Sequence, residues 1–106
     1  MEGEKNLVEK ARKGNSEAFG SLYDYYLPRI YRFVLFKVSH KQQAEDITQH
    51  AFMKAWEGMG GYKPQGHPFG SWLYRIARNS VIDYYRQNEL QVDIEEISPE
   101  ALGIDN

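Results

Sequence analysis

Five residues near the C-terminal end, Arg75, Arg78, Asn79, Ile82 and Arg86, are spaced so that a helix gathers them within an arc of about 100°. Trp72, Tyr74 and Tyr85 border that arc. Guanidinium groups grip phosphates in a bidentate fork, an asparagine amide reads base edges, and aromatic rings stack on unpaired bases. The face therefore carries the side chains that nucleic-acid contacts use. The plain alternative is a solvated helix surface on which Asp83 pairs with Arg86. Just ahead lie Tyr62, Lys63 and His67, on a connection rich in glycine and leading into Phe69 and Trp72. Such a loop can hold a base drawn from its stack, offsetting the few kcal/mol that extrusion costs. Its plain alternative is a surface turn whose Tyr62 covers the edge of the core. A phosphate-cradling P-loop is excluded, because no Gly-Lys-Ser/Thr ending is present.

A second set has a different character. Asp46, Gln49, His50, Met53, Trp56 and Glu57 share one side of a helix whose other side is Ala44, Ile47, Thr48, Ala51 and Ala55. Small residues suit close helix packing, whereas Met and Trp among polar groups are enriched at protein interfaces. The alternative is that Trp56 tucks under a neighbouring loop and Met53 is an incidental exposed apolar residue. Catalysis finds no such support. With no cysteine there is no thiolate, disulfide or iron–sulfur chemistry. His40, His50 and His67 never place two imidazoles on one helical side, and Glu45 and Asp46 are adjacent, so they point apart. We therefore expect no enzyme activity, no metal site and no cofactor. A helix-turn-helix reader is also a poor match, since a glycine-rich stretch of eleven residues, rather than a tight turn, precedes the basic helix.

The elements that must position these faces are helical. Strand-like alternation is nearly absent, and the apolar residues recur at helical spacing. A first helix is predicted over residues 4–13, with Leu7, Val8 and Ala11 inward and Gly14 ending it. Asn15 or Ser16 caps a second, striped by Phe19, Leu22, Tyr23, Tyr26, Ile30 and Phe33. Pro28 should kink it, because proline deletes a backbone hydrogen bond at a cost of about 3 kcal/mol. Ser39 is expected to cap a third helix running to about Gly58, followed by a loop over Gly58–Pro68. The last helix should span residues 68–88 and bury Phe69, Leu73, Ile76, Ala77, Ser80 and Tyr84. The expected fold is thus all-α: a compact bundle of three to four helices, with a Pro-kinked long helix and a Gly-rich loop before the last one.

Length and charge agree with one small domain. The chain has 106 residues and a formal net charge of −2, but the charge is unevenly spread. Residues 1–88 carry all 13 Lys and Arg and a net +4, whereas residues 89–106 hold six acids and no base, a net −6. A basic body followed by an acidic segment suits a module that handles a polyanion. We read residues 1–88 as the domain and residues 89–106 as an acidic linker or tail, whose Val92, Ile94, Ile97 and Leu102 are too sparse for a core. No apolar run reaches the roughly 18 residues of a membrane span, so no membrane partner is expected and the expected location is cytoplasmic.

Two stretches carry a resemblance. Ala44-Glu45-Asp46-Ile47-Thr48-Gln49-His50-Ala51-Phe52-Met53-Lys54-Ala55-Trp56 and, after the loop, Phe69-Gly70-Ser71-Trp72-Leu73-Tyr74-Arg75-Ile76-Ala77-Arg78-Asn79-Ser80-Val81-Ile82-Asp83-Tyr84-Tyr85-Arg86 resemble region 2 of bacterial RNA polymerase sigma factors of the extracytoplasmic-function (ECF) type. The upstream run Ala18–Tyr26 and Pro28–Phe33, with its proline inside a helix, is similar to the start of that domain. The likeness covers roughly residues 7–88.

The resemblance implies roles for the faces. Asp46 and Gln49 would dock on the clamp helices of the polymerase's largest subunit, with His50, Met53 and Trp56 beside them. His50 stands where the family often has Glu, so that part of the contact would respond to pH. Tyr62, Lys63, Phe69, Trp72, Arg75, Arg78, Asn79 and Arg86 would recognise the promoter minus-ten element as a melted non-template strand, with Asp83 orienting an arginine. An anti-sigma factor is a further implied partner. Such factors also carry a second helical domain that reads the minus-thirty-five element, which this sequence does not contain; residues 89–106 resemble the start of the joining linker. Two other readings compete: a sigma mimic that only sequesters an anti-sigma factor, and a helical domain binding nucleic acid without sequence preference.

Overall fold

Four α-helices follow one another in the computed structural model, which describes residues 1–89: α1 (Glu4–Arg12), α2 (Ser16–Val38), α3 (Lys41–Gly58) and α4 (Phe69–Glu89), with one 3-10 turn over Met59–Gly61. No strand occurs among the described residues. Of the acidic segment expected over residues 89–106, Glu89 ends α4 and residues 90–106 lie outside the described residues.

The first joint is built by local chemistry. Gly14 takes a left-handed φ of 94°, which only glycine adopts without penalty. That turn lets the Gly14 N–H reach the Ala11 carbonyl and the Asn15 N–H reach that of Lys10, so α1 ends in a Schellman motif. Asn15 then caps α2, its Oδ1 accepting from the Ala18 N–H at 3.0 Å.

α2 is the axis of the bundle. Ala18, Leu22, Tyr26, Ile30, Val34 and Val38 are all buried, at a strict spacing of four. Each step of four residues advances about 40° around a helix, so the buried row winds as it climbs. The helix accordingly packs on α1, α3 and α4 rather than on one neighbour. Phe19, Tyr23 and Phe33, expected in the same stripe, are only half-buried at its margins. The helix runs unbroken through Pro28, where the Asp24 carbonyl loses its helical donor. Beside that gap the Arg29 guanidinium donates to the Tyr25 carbonyl at 2.7 Å and lies 3.8 Å from the centre of the Tyr25 ring.

The joint between α2 and α3 departs from expectation. Ser39 does not cap α3; it closes α2, with φ at 64° and its N–H bonded to the Leu35 carbonyl. Only Ser39 and His40 connect the two helices, so the reversal must be made by a left-handed residue at once. His40 precedes α3 without a side-chain cap.

On α3 the predicted small-residue face is the buried one: Ala44, Ile47, Thr48, Ala51 and Ala55, joined by Phe52. α4 starts at Phe69, directly after Pro68, whose carbonyl accepts from the Ser71 N–H. It buries Phe69, Leu73, Ala77, Ser80 and Val81. Ile76 and Tyr84 are partly covered, and Val81 takes the inner position because α4 packs against α2 as well as α3. A hydrogen bond of 2.7 Å from the Tyr26 hydroxyl to Glu4 Oε1 ties α2 to α1.

Candidate nucleic-acid interface

The Gly/Pro-rich connection is not loose along its whole length. Met59 is buried under the 3-10 turn, and Tyr62, only 6% exposed, folds back into the core. Its ring meets Phe69 edge-on at 5.8 Å and Trp72 at 4.6 Å, and the Phe69 and Trp72 rings are 5.6 Å apart. Burial, then the nearby Glu4 carboxylate, raises the Tyr62 pKa above its ordinary value, so the hydroxyl stays protonated. Two of the eight residues expected to meet DNA, Tyr62 and Phe69, are therefore interior and form the floor beneath a half-buried Trp72. Trp72 also lies against α3, its ring 3.5 Å from where a β-carbon on Gly58 would stand.

The remaining expected residues stand in the open. Lys63, Arg75, Arg78, Asn79 and Arg86 are all exposed, and Ile82 is half-buried between them. Among the described residues none of the three arginines forms a salt bridge. Their five guanidinium donors apiece face water. Asp83, expected to orient an arginine, instead accepts from Lys54 of α3 at 3.4 Å. The reason is geometric: α4 packs on α3, and that flank of α4 faces Lys54 rather than its own arginines.

The α3 surface is separate and equally open. Asp46, Gln49 and His50 are exposed, Met53 is 61% exposed and Trp56 38%. Two of these side chains are steadied from α2. The Gln49 amide donates to the Tyr23 hydroxyl at 3.0 Å, and the Trp56 ring packs on Phe19 with centroids 5.0 Å apart. Trp56 thus rests on a helix and not under a loop. Tyr23 is itself fixed edge-on to the buried Phe52 at 4.8 Å. Sequence periodicity finds the α3 face but not these supports, because they come from another helix. Among the described residues no cluster of His, Asp or Glu could hold a metal ion, and no helix is long and apolar enough to cross a membrane.

With both faces placed, comparison with known proteins becomes informative. The pattern of the sigma-70 region 2 family matches residues 22–90. The chain belongs to the sigma-70 region 2 family. It is 40% identical over 88 residues to the ECF RNA polymerase sigma factor BldN of Streptomyces coelicolor, covering 83% of this chain and 33% of that protein. It is 33% identical over 85 residues to the ECF RNA polymerase sigma factor SigW of Bacillus subtilis, covering 80% and 45%. The domain is accordingly of the ECF type, and it spans between a third and a half of the length of these relatives. Sigma factors are initiation factors rather than enzymes, in line with the expectation from the sequence. In fold it matches the NMR structure of an engineered region 2 of sigmaE in complex with GTAAAA, with a TM-score of 0.78 and 29% identity over 85% of this chain and 93% of that one.

Proposed function

We propose that this sigma region 2 domain binds RNA polymerase through α3 and captures the melted minus-ten element of a promoter on α4 and the preceding loop. The observation that carries the reading is the fold match to a region 2 held in complex with GTAAAA. The exposed arginines of α4, which form no salt bridge among the described residues, supply the matching chemistry. In this reading Lys63, Arg75, Arg78 and Arg86 take phosphates, Asn79 takes a base edge, and Trp72 offers a ring to an unstacked base. Tyr62 and Phe69 act from below, holding Trp72 at its angle. Melting then needs no chemical step: binding only the open strand shifts the equilibrium toward it.

On α3, Asp46 and Gln49 offer acceptors to the polymerase clamp helices. His50, Met53 and Trp56 extend the contact, and an anti-sigma factor would compete for the same partly apolar surface. Residues 1–88 constitute the binding domain in this reading, and residues 89–106 begin an acidic linker.

Two measurements test it. Core polymerase should be retained by the wild-type domain and lost by Asp46→Ala/Gln49→Ala, with circular dichroism unchanged. A minus-ten single strand should bind with a salt slope of about −2.8, four phosphate contacts at roughly −0.7 each. Equal affinity for a scrambled strand would overturn the promoter reading in favour of nonspecific binding. Retention of polymerase by the double variant would overturn the α3 assignment.

A further inference from the structure

Phe36 is 88% exposed, the most open large apolar side chain among the described residues, and neither proposed face uses it. It stands in a stretch of one charge sign, since residues 25–44 contain Arg29, Arg32, Lys37 and Lys41 and no acid. Arg32, Lys37 and Lys41 are exposed, and among the described residues none of the three forms a salt bridge. On one side of Phe36 a groove of about 500 Å³ runs past Arg29, Arg32, Phe33 and Tyr74. On the other side a hollow of about 630 Å³ opens over the α2–α3 joint and reaches His40, Tyr85 and Asn88. The walls are firm: Phe33 meets Tyr74 edge-on at 5.3 Å, and the Tyr85 hydroxyl donates to the Lys37 carbonyl at 3.3 Å. An apolar ridge set among cations suits an occupant that is apolar and anionic at once.

The chain supplies such an occupant at the rim of the hollow itself. Asn88 lines the hollow, and α4 ends one residue later. Residues 90–106 then carry Asp93, Glu95, Glu96, Glu100 and Asp105, with no Lys or Arg. Apolar residues are interleaved with these acids: Val92 precedes Asp93, Ile94 sits between Asp93 and Glu95, and Ile97 follows Glu96. Reach is ample. Residues 90–97 can span about 26 Å at roughly 3.3 Å each, whereas Phe36 and Arg29 are separated by only about 10 Å of helix. The α4 arginines are a poorer match for this segment, because within their arc only Ile82 is apolar, and it is half-buried.

We propose that residues 90–97 fold back along the C-terminal half of α2, with Val92 and Ile94 against Phe36 and the acids against Arg32 and Lys37. Arg29 contributes charge only, because its guanidinium is engaged with Tyr25. Packed helices lie about 8–10 Å apart, roughly one Debye length at physiological salt. Carboxylates held on α2 therefore repel phosphates arriving at α4, and the domain carries its own electrostatic brake on strand capture. The docking stands independently of the α4 reading, and only the brake rests on it.

The sequence has no cysteine, so Ser98→Cys gives the whole chain a single site for a nitroxide spin label. Amide NMR signals of Phe36, Lys37, His40 and Tyr85 should broaden, while those of Ser16 and Glu17, about 30 Å away at the other end of α2, should not. Phe36→Ser and Arg32→Gln/Lys37→Gln, all at exposed positions, should each abolish that broadening. Broadening centred on Arg75, Arg78 and Arg86 would overturn the proposal in favour of docking on α4, and broadening spread evenly over the domain would overturn docking altogether. Broadening transferred from labelled chains to isotope-enriched unlabelled ones would overturn it as well, assigning the ridge to a second copy. The brake is read by fluorescence anisotropy with the minus-ten single strand. A short tether supplies a millimolar effective concentration, so a contact with an intrinsic Kd of about 0.1–1 mM is about 50–90% occupied. Asp93→Asn/Glu95→Gln/Glu96→Gln should therefore tighten strand binding by about 2- to 10-fold, and the gain should vanish in the Phe36→Ser background. An equal gain in both backgrounds would overturn the brake, since charge without docking acts the same in either. Failure of every variant to bind the strand would defeat the α4 reading, whereas docking is decided by the NMR signals alone.

Discussion

Removing one hydroxyl, in Tyr23→Phe, should separate the fold from the polymerase contact. The Tyr23 ring packs edge-on against Phe52, and phenylalanine keeps that packing. What disappears is the hydrogen bond at 3.0 Å that the exposed Gln49 amide donates to Tyr23. Both partners reach water, so the stability cost should fall near the bottom of the usual range, about 0.5 kcal/mol. Docking is another matter. With its amide nitrogen held by Tyr23, Gln49 presents its carbonyl oxygen outward in one rotamer. Without Tyr23 that rotamer must be selected on binding, which costs about 0.5–1.5 kcal/mol for a rotamer-rich side chain. At 1.4 kcal/mol per tenfold, affinity for polymerase should fall by about 2- to 12-fold. Titration calorimetry with the clamp-helix fragment gives the affinity, and thermal melting gives the stability. In a double-mutant cycle the Tyr23 effect should vanish when Gln49 is already alanine. Unchanged affinity in Tyr23→Phe, or an equal loss in the Gln49→Ala background, would refute the argument that Tyr23 acts by holding Gln49.

Three further outcomes follow from the interior. Thr48 is 1% exposed and its hydroxyl has no hydrogen-bond partner among the described residues, so the near-isosteric Thr48→Val should stabilise by about 1 kcal/mol and raise the melting temperature by about 4–8 °C; a lowered melting temperature would reveal a partner for that hydroxyl. Phe69→Ala should cost about 3–5 kcal/mol by opening a cavity under Trp72, whereas Trp72→Ala should cost less stability and abolish more single-strand binding; the reverse order in melting and anisotropy would invert their roles. Burial, reinforced by the bond to Glu4, raises the Tyr26 pKa, so the folded domain keeps that proton after the unfolded chain has begun to release it near pH 10. The Tyr26 contribution to stability is therefore fully present below pH 10 and should fall by about 1.4 kcal/mol per unit above it, so that Tyr26→Phe should make the alkaline slope shallower in denaturant titrations against pH.

Where a boundary depends on local chemistry, the sequence is a sufficient guide. Gly14, Asn15, Gly58 and Pro68 announce helix ends because their preferences are intrinsic to the residue. The open positions of Asp46, Gln49, His50, Met53, Arg75, Arg78, Asn79 and Arg86 follow from period alone. Legibility fails where a residue answers to something distant in the chain. Ser39 looks like a cap, yet a connection of two residues between antiparallel helices forces it into a left-handed turn. Val81 and Phe52 fall off a stripe drawn for a straight helix with one neighbour, because α4 and α3 each have more than one. Composition marks Gly58–Pro68 as a loop but cannot say that Met59 and Tyr62 turn inward, nor that Asp83 finds Lys54 across the bundle. Phe36 draws no notice in a helical pattern until the structure shows it 88% exposed among the described residues.

The alanines of α3 carry one more consequence. Ala44, Ala51 and Ala55 are fully buried, and at these three positions α3 meets its neighbours with nothing longer than a methyl group, between the larger Ile47 and Phe52. A domain held from outside by α3 then has no slack through which the pose of α4 could drift. The angle between the two outward faces is machined into the backbone, much as a bracket fixes the plates bolted to it. Lengthening any of these alanines by a few atoms would insert a shim, tilting α4 while every exposed contact residue stayed in place. Such a variant would pass each binding assay performed one partner at a time and fail only when both partners must be held at once.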